Sequence, residues 1–286
     1  METTMTASAG ATSQDIQFHY DIGSAFYALW LDPSMTYSCA MFEEGDDLAT
    51  AQTRKLDYHL RQARVGEGTR LLDIGCGWGS LMARAAERFP SSRSVGLTLS
   101  EDQKRHIEGR GLDRAEVRLQ SWAELDEPEG FDAAVSIGAL EHFTRAGMSA
   151  EEKVRVYRDT FKAVRAALKP GAHFSLQTIA FERMRDADLP RFIVERIFPN
   201  SMLPRPVEIM AGADRVMEFV EGRNDGLDYA RTCRAWVANL DRVRDRAVAL
   251  VGETRFNEYV QYLRMSAVAF EQKGFGLLRL TFRAYE

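Results

Sequence analysis

The sequence predicts an α/β fold: a largely parallel sheet with helices on both faces. Two observations carry that prediction. From Thr69 onward, short apolar runs alternate with helix-length amphipathic stretches, the β-α-β-α order that builds parallel sheets. The first apolar run, Leu71-Leu72-Asp73-Ile74, also passes directly into Gly75-Cys76-Gly77-Trp78-Gly79 before a helical stretch opens. Glycines at such a turn bring backbone close to a ligand at the carboxyl end of a strand, where sheets of this kind receive nucleotide-like molecules.

The elements follow in order. A strand over 70–74 leads to a helix over 80–88, then a strand over 94–99 and a helix over 101–109. A third strand (116–119) and a fourth (131–137) precede a long helix over 150–168, closed by the stop signal Pro170-Gly171. Residues 173–179 make the fifth strand. Later come a strand over 215–220, two helices over 229–250 and 253–273, and a last strand over 277–285. Two stretches stand apart from this core. Residues 16–66 read as a helical N-terminal cap, with Ile16, Phe18, Phe26, Tyr27, Leu29 and Trp30 on a helix-like pattern. Residues 180–210 hold four prolines and the apolar run Phe192 to Phe198; a connection this long is read as a lid inserted into the 67–286 domain.

Bulk properties exclude several classes. At 286 residues, with 45% hydrophobic and 28% charged side chains, the chain is an ordinary globular protein able to bury a large core. A net charge of −5 carries no nucleic-acid footprint. Cys39, Cys76 and Cys233 are too far apart for a metal site or a disulfide framework, which favours the cytoplasm. No run approaches a membrane span, and residues 1–15 read as a disordered tail without a signal peptide.

The spacing G-x-G-x-G is neither the dinucleotide fingerprint nor a phosphate loop. It resembles motif I of the S-adenosylmethionine (SAM) dependent methyltransferases, which implies a class I, Rossmann-like, seven-stranded sheet. A SAM site needs a carboxylate, close backbone, hydrogen bonds to ribose and an apolar slot. Asp73 and the turn through Gly75 and Gly77 meet the first two needs. Thr98 and Gln103 are short neutral groups for the hydroxyls. Trp122, beside Ser121, is placed to stack on adenine, and Ile137 lies in the slot.

Further segments narrow the resemblance. These are His19-Tyr20-Asp21, Asp32-Pro33, Thr36-Tyr37-Ser38-Cys39-Ala40, Gly96-Leu97-Thr98-Leu99-Ser100, Ser136 to Phe143, Phe198-Pro199 and Tyr229-Ala230-Arg231-Thr232 with Trp236. Together they resemble the cyclopropane-fatty-acid synthase family, including the mycolic acid cyclopropane synthases, over nearly the whole chain from Gln17. The resemblance adds Tyr37, Ser38 and Leu99 to the cofactor contacts. It implies methyl transfer to an alkene carbon of a lipophilic or carrier-bound acyl substrate, giving a carbocation from which a base removes a proton. In the cyclopropane synthases that base is bound bicarbonate. Its ligands fall on Cys39 and Ile179 through their backbone, and on Glu141 and Tyr229. The family's histidine is replaced by Gln177, which can donate a hydrogen bond but cannot titrate. Glu141-His142 also matches the base pair of the plant coclaurine-type N-methyltransferases, so His142 is a second candidate base and a small amine an alternative acceptor.

Overall fold

The computed structural model describes residues 22–198 and 200–286. The expected tail, the start of the cap with Ile16 and Phe18, the His19-Tyr20-Asp21 segment and Pro199 lie outside them. The strands are β1 (Arg70–Ile74), β2 (Arg93–Thr98), β3 (Ala115–Leu119), β4 (Phe131–Ile137), β5 (Leu168–Phe181), β6 (Met217–Asn224) and β7 (Phe275–Ala284). Among the described residues they form one sheet in the order β3-β2-β1-β4-β5-β7-β6. β1 to β5 run parallel, and β7 is antiparallel to both β5 and β6. β1 lies between β2 and β4, so the chain order reverses there; this is the switch point where parallel sheets open a crevice.

The helices are α1 (Ser24–Tyr27), α2 (Leu48–Gln62), α3 (Ser80–Arg88), α4 (Glu101–Gly109), α5 (Ala150–Ala167), α6 (Pro206–Ala213), α7 (Gly226–Arg242), α8 (Arg244–Val251) and α9 (Glu253–Glu271). Successive residues of a strand face opposite sides. Leu72 and Ala134 therefore pack with Tyr157, Phe161 and Val164 of α5. Leu71, Ala133 and Val135 pack with Leu56 and Leu60 of α2 and Leu81 and Ala85 of α3. Burial on both faces is why β1 and β4 read as nearly unbroken apolar runs, and each such leucine contributes about 1.5–3 kcal/mol by leaving water. A third cluster is aromatic: Phe26, Tyr27 and Trp30 meet Trp236 of α7 and Tyr259 of α9. It reaches the sheet at Trp78, whose ring is 4.8 Å from that of Tyr27, and at Ile179 of β5.

Several boundaries differ from the sequence reading. α5 starts at a capping box, Ser149 with Glu152, but ends at Ala167, and β5 begins at once with Leu168 paired to Phe131. Pro170-Gly171 falls inside this strand, where the β4–β5 register shifts between Phe131 and Ala133; a bulge tolerates a residue without an N–H. β6 starts two residues late, after Arg215 turns through a φ of 62°. The predicted helix over 229–250 is two helices, α7 and α8, parted at Val243 (φ −113°, ψ 18°). In the cap, the helix-like aromatic pattern yields one short turn, α1, while α2 supplies the longer helix. The 180–210 connection is partly regular: β5 continues to Phe181, a π-turn spans Ile193–Ile197, and α6 starts on Pro206.

Candidate active site

The glycine-rich turn leaves β1 with Gly75 at φ 76° and Gly77 at φ 54°, both in the left-handed region that glycine enters freely. A Cβ on Gly75 would lie 2.5 Å from Ala139 Cβ, whereas one on Gly77 would meet nothing within 4 Å. Gly75 thus lets the turn close on the loop after β4, and Gly77 borders open space at the strand ends. The amides of Gly75 and Cys76 donate to the Leu97 carbonyl at 3.0 and 2.9 Å, tying the turn to β2.

Asp73, 2% exposed, has its carboxyl pushed up to about 7 by burial, against the opposing pull of Lys55. Lys55 is itself wholly buried in α2, and its Nζ donates to Ser38 Oγ at 2.8 Å. Gln52 Nε2 donates to the carbonyls of Ser38 (2.8 Å) and Thr36 (3.2 Å), which holds the Thr36–Ala40 segment on α2. Thr98 Oγ1 donates to Gln103 Oε1 at 2.6 Å, so the two groups expected to face ribose hold each other and leave the Gln103 amide NH₂ to donate. Leu99 is half-buried. Ser121 caps a one-turn helix, Trp122–Glu124. The Trp122 ring lies 5.3 Å from that of Phe143, and Ile137 is half-buried at the end of β4.

The second group of residues surrounds Glu141, which sits in a one-turn helix, Leu140–His142, after β4. Its Oε1 accepts from the Ile179 N–H at 2.7 Å, and its Oε2 is buried without a hydrogen bond. Burial pushes this carboxyl up to about 7, the Ile179 amide opposing. Tyr229, at the start of α7, stacks on Phe270 at 4.6 Å and lies close enough for the Glu141 charge to act on its phenol. Tyr37 packs with Tyr27 and Trp236, each at 5.2 Å. His142 faces another way: Nδ1 bonds Ser201 Oγ at 2.7 Å, and burial holds its pKa down at about 4. Ser201 and Met202 meet this turn, the Met202 N–H donating to the Glu141 carbonyl at 3.1 Å, and buried Ile197 sits in the aromatic cluster.

Gln177 belongs to a buried polar network that sequence reasoning missed. Its Oε1 accepts from Arg279 Nε (3.0 Å) and His59 Nε2 (3.2 Å). Arg279 is fully buried, pairs with Asp225 and donates to the Ala40 carbonyl at 2.9 Å and the Cys39 carbonyl at 3.5 Å. The Cys39 thiol, pushed up to about 12 chiefly by burial, is neutral at physiological pH. The signal was available: Lys55 and His59 are four apart on the apolar face of α2, beside Leu56 and Leu60, and Arg279 interrupts the apolar run Leu277–Phe282.

The model of the family described as "Mycolic acid cyclopropane synthetase" matches residues 8–280. The chain belongs to that family. Cyclopropane mycolic acid synthase 3 of Mycobacterium tuberculosis is 35% identical over 278 residues, 90% of this chain and 92% of that protein. The solved structure of the cyclopropane synthase MmaA2 from Mycobacterium tuberculosis superposes with a TM-score of 0.86 at 30% identity, over 97% of this chain and 100% of that one. The mycolic acid cyclopropane synthase CmaA1, complexed with SAH and CTAB, has the same TM-score of 0.86 at 31% identity, over 96% and 99%. The chain is thus a SAM-dependent methyltransferase with the class I fold. No described helix is long and apolar enough to cross a membrane.

Within this family the resemblance implied a bicarbonate held by Cys39, Glu141, Gln177, Ile179 and Tyr229. Part of that set is engaged within the chain, while Glu141 Oε2 is buried without a hydrogen bond. Glu141 already takes the Ile179 N–H. Arg279 and His59 take the Gln177 carbonyl, and the Cys39 carbonyl faces Arg279.

Proposed function

We propose that this chain transfers the SAM methyl group to an alkene carbon of a lipophilic substrate, an unsaturated acyl chain or an isoprenoid or polyketide, with Glu141 as the internal base. The observation that carries this reading is the Glu141 carboxyl: one oxygen fixed by the Ile179 amide, the other buried and unpartnered, beside Tyr229 and the aromatic cluster. A buried carboxyl near pH 7 matches the task of a base that works at neutral pH.

Bound SAM supplies an electrophilic methyl group. Asp73, the turn at Gly75 and Gly77, and the Gln103 amide bind and orient it, with Thr98 holding Gln103, Leu99 and Ile137 lining the slot, and Trp122 beside the adenine, its turn capped by Ser121. Tyr37 and Ser38 close the site from the cap. When the alkene π pair forms the new bond to the methyl carbon, the sulfur–methyl bond would break with its electron pair left on sulfur, and positive charge would develop on the neighbouring substrate carbon. The ring faces of Tyr229, Tyr37 and Trp236 stabilise it, and Glu141 accepts the proton. A proton taken from the new methyl leaves its electron pair to close a cyclopropane; one taken elsewhere leaves a methyl-branched alkene. The described residues of the 180–210 connection act as a lid that keeps water from the cation, with Ile197 seated in the aromatic cluster. The free, buried thiols support a cytoplasmic setting.

Mass spectrometry with methyl-deuterated SAM tests the reading on a panel of unsaturated acyl chains, prenyl diphosphates and aromatic amines. Methylated alkene substrates are expected. Two deuteriums retained means the proton left the transferred methyl, and three means loss elsewhere. Turnover confined to amines overturns the proposal in favour of N-methylation.

A further inference from the structure

Lys55 is an unusual use of a cation. It lies at 0% exposure in α2, and burying an ammonium is expensive unless its donors are used. Among the described residues its hydrogen bond goes to Ser38 Oγ, at 2.8 Å. Asp32 and Asp73 act on it only through space, so no carboxylate claims it as an ion pair.

The hydroxyl it holds is oriented as a consequence. Burial, with the Arg279 charge adding to it, lowers the Lys55 pKa to about 7; in its protonated form it can only donate, so Ser38 Oγ accepts from it and the hydroxyl proton is left for another acceptor. No described residue accepts that proton. Ser38 also sits at the mouth of the crevice: its Cβ is 3.9 Å from where a Cβ on Gly138 would stand, in the turn just after β4. Its carbonyl is tied down separately by Gln52. Ser38 thus stands beside the turn after β4 with a hydroxyl proton free to be donated at the strand ends.

We infer that Lys55 is a positioning residue for the cofactor's carboxylate, filling the acceptor side of the Ser38 hydroxyl so that its proton is donated to the amino-acid end of bound SAM. The choice among the cofactor's groups follows from charge. The sulfonium and ammonium are cations that Lys55 repels and that offer no acceptor; the carboxylate is the anionic acceptor. Asp73, the acid of the same crevice, then receives the ammonium, and the two ends of the zwitterion are sorted by two buried charges of opposite sign. This rests on the cofactor site proposed above.

Isothermal titration of the full chain with SAM and with decarboxylated SAM, which keeps the ammonium and lacks the carboxylate, separates the possibilities. Lys55→Met should weaken SAM binding about tenfold or more, the size of a charge-assisted hydrogen bond, and leave decarboxylated SAM unaffected. Ser38→Ala should show the same split, and the double variant should lose little more than either single one, because both act on one contact. Equal losses for the two ligands, or additive losses, overturn the inference. Should Lys55→Met fail to fold, a Ser38→Ala protein that weakens both ligands equally overturns it as well. A wild-type chain that binds neither ligand refutes the cofactor site itself rather than the role of Lys55.

Discussion

Replacing Glu141 by glutamine separates the cost of the carboxylate from its use. The amide keeps the shape of the side chain and an oxygen to accept the Ile179 N–H, a bond of 2.7 Å in the wild type, but cannot take a proton. Burial holds the Glu141 carboxyl at about 7 rather than 4.5. A carboxyl raised in the fold binds its proton more tightly there than in the unfolded chain. Stability from this group is therefore complete below pH 4.5, declines as pH rises, and is lost once pH passes about 7. At about 1.4 kcal/mol per pH unit, the deficit at pH 8 is on the order of 3 kcal/mol. The neutral amide of the variant carries no such deficit. Urea unfolding should therefore find Glu141→Gln nearly as stable as wild type at pH 5 and more stable at pH 8, by up to about 3 kcal/mol. Turnover should fall by about 10² to 10⁴, the usual contribution of a positioned base, while SAM affinity is retained. Two results would refute the reasoning. Parallel stability curves across pH would mean that the carboxylate is not buried without a partner, and undiminished turnover would mean that it is not the base.

Three further predictions follow from the same geometry. The kcat/KM profile should rise through about pH 7 as Glu141 ionises, and His142→Asn should leave that limb in place, because His142 is neutral from about pH 4 upward; loss of the limb in the histidine variant would make His142 the base. Gly75→Ala should reduce folded yield sharply, since its Cβ would meet Ala139 Cβ at 2.5 Å, whereas Gly77→Ala should fold with a strain of about 1–2 kcal/mol and lose SAM affinity, as calorimetry can tell. Arg279→Met leaves Asp225 with its exposed partner Arg223 but takes the donor from the buried Ala40 carbonyl, and should destabilise the protein by about 1–3 kcal/mol in urea titrations; an unchanged midpoint would mean that the network is solvated.

The fold was legible where local signals agree with global packing. β1, β4, α3 and α4 match the sequence reading residue for residue, because each combines a clear period with a turn or cap at its ends. The misplaced ends share a different cause. Pro170-Gly171 is a stop signal in isolation, but the pairing of Leu168 with Phe131 draws the chain straight from α5 into a strand. The break at Val243 has no glycine or proline to announce it, and the helical period continues through it. In the candidate site, Glu141 and Ile179 were each named from motif resemblance, and a hydrogen bond joins them across 38 residues.

What the sequence determined by itself was local and periodic: the parallel α/β order, the glycine-rich turn at the end of β1, and the residue types of a methyltransferase site. Partner choice among buried polar groups was a tertiary decision. Gln177 stands in sequence as a bare substitute for histidine, yet its carbonyl is held by His59 and Arg279, which lie 118 and 102 residues away along the chain. The place of Lys55 on the apolar face of α2 marks it for burial, but only the fold sets it against Ser38. The reason is physical. Periodicity records which face of an element meets the core, but a buried charge must find its partner in three dimensions, and which partner it finds depends on how α2, β5 and β7 are stacked rather than on any spacing along the chain.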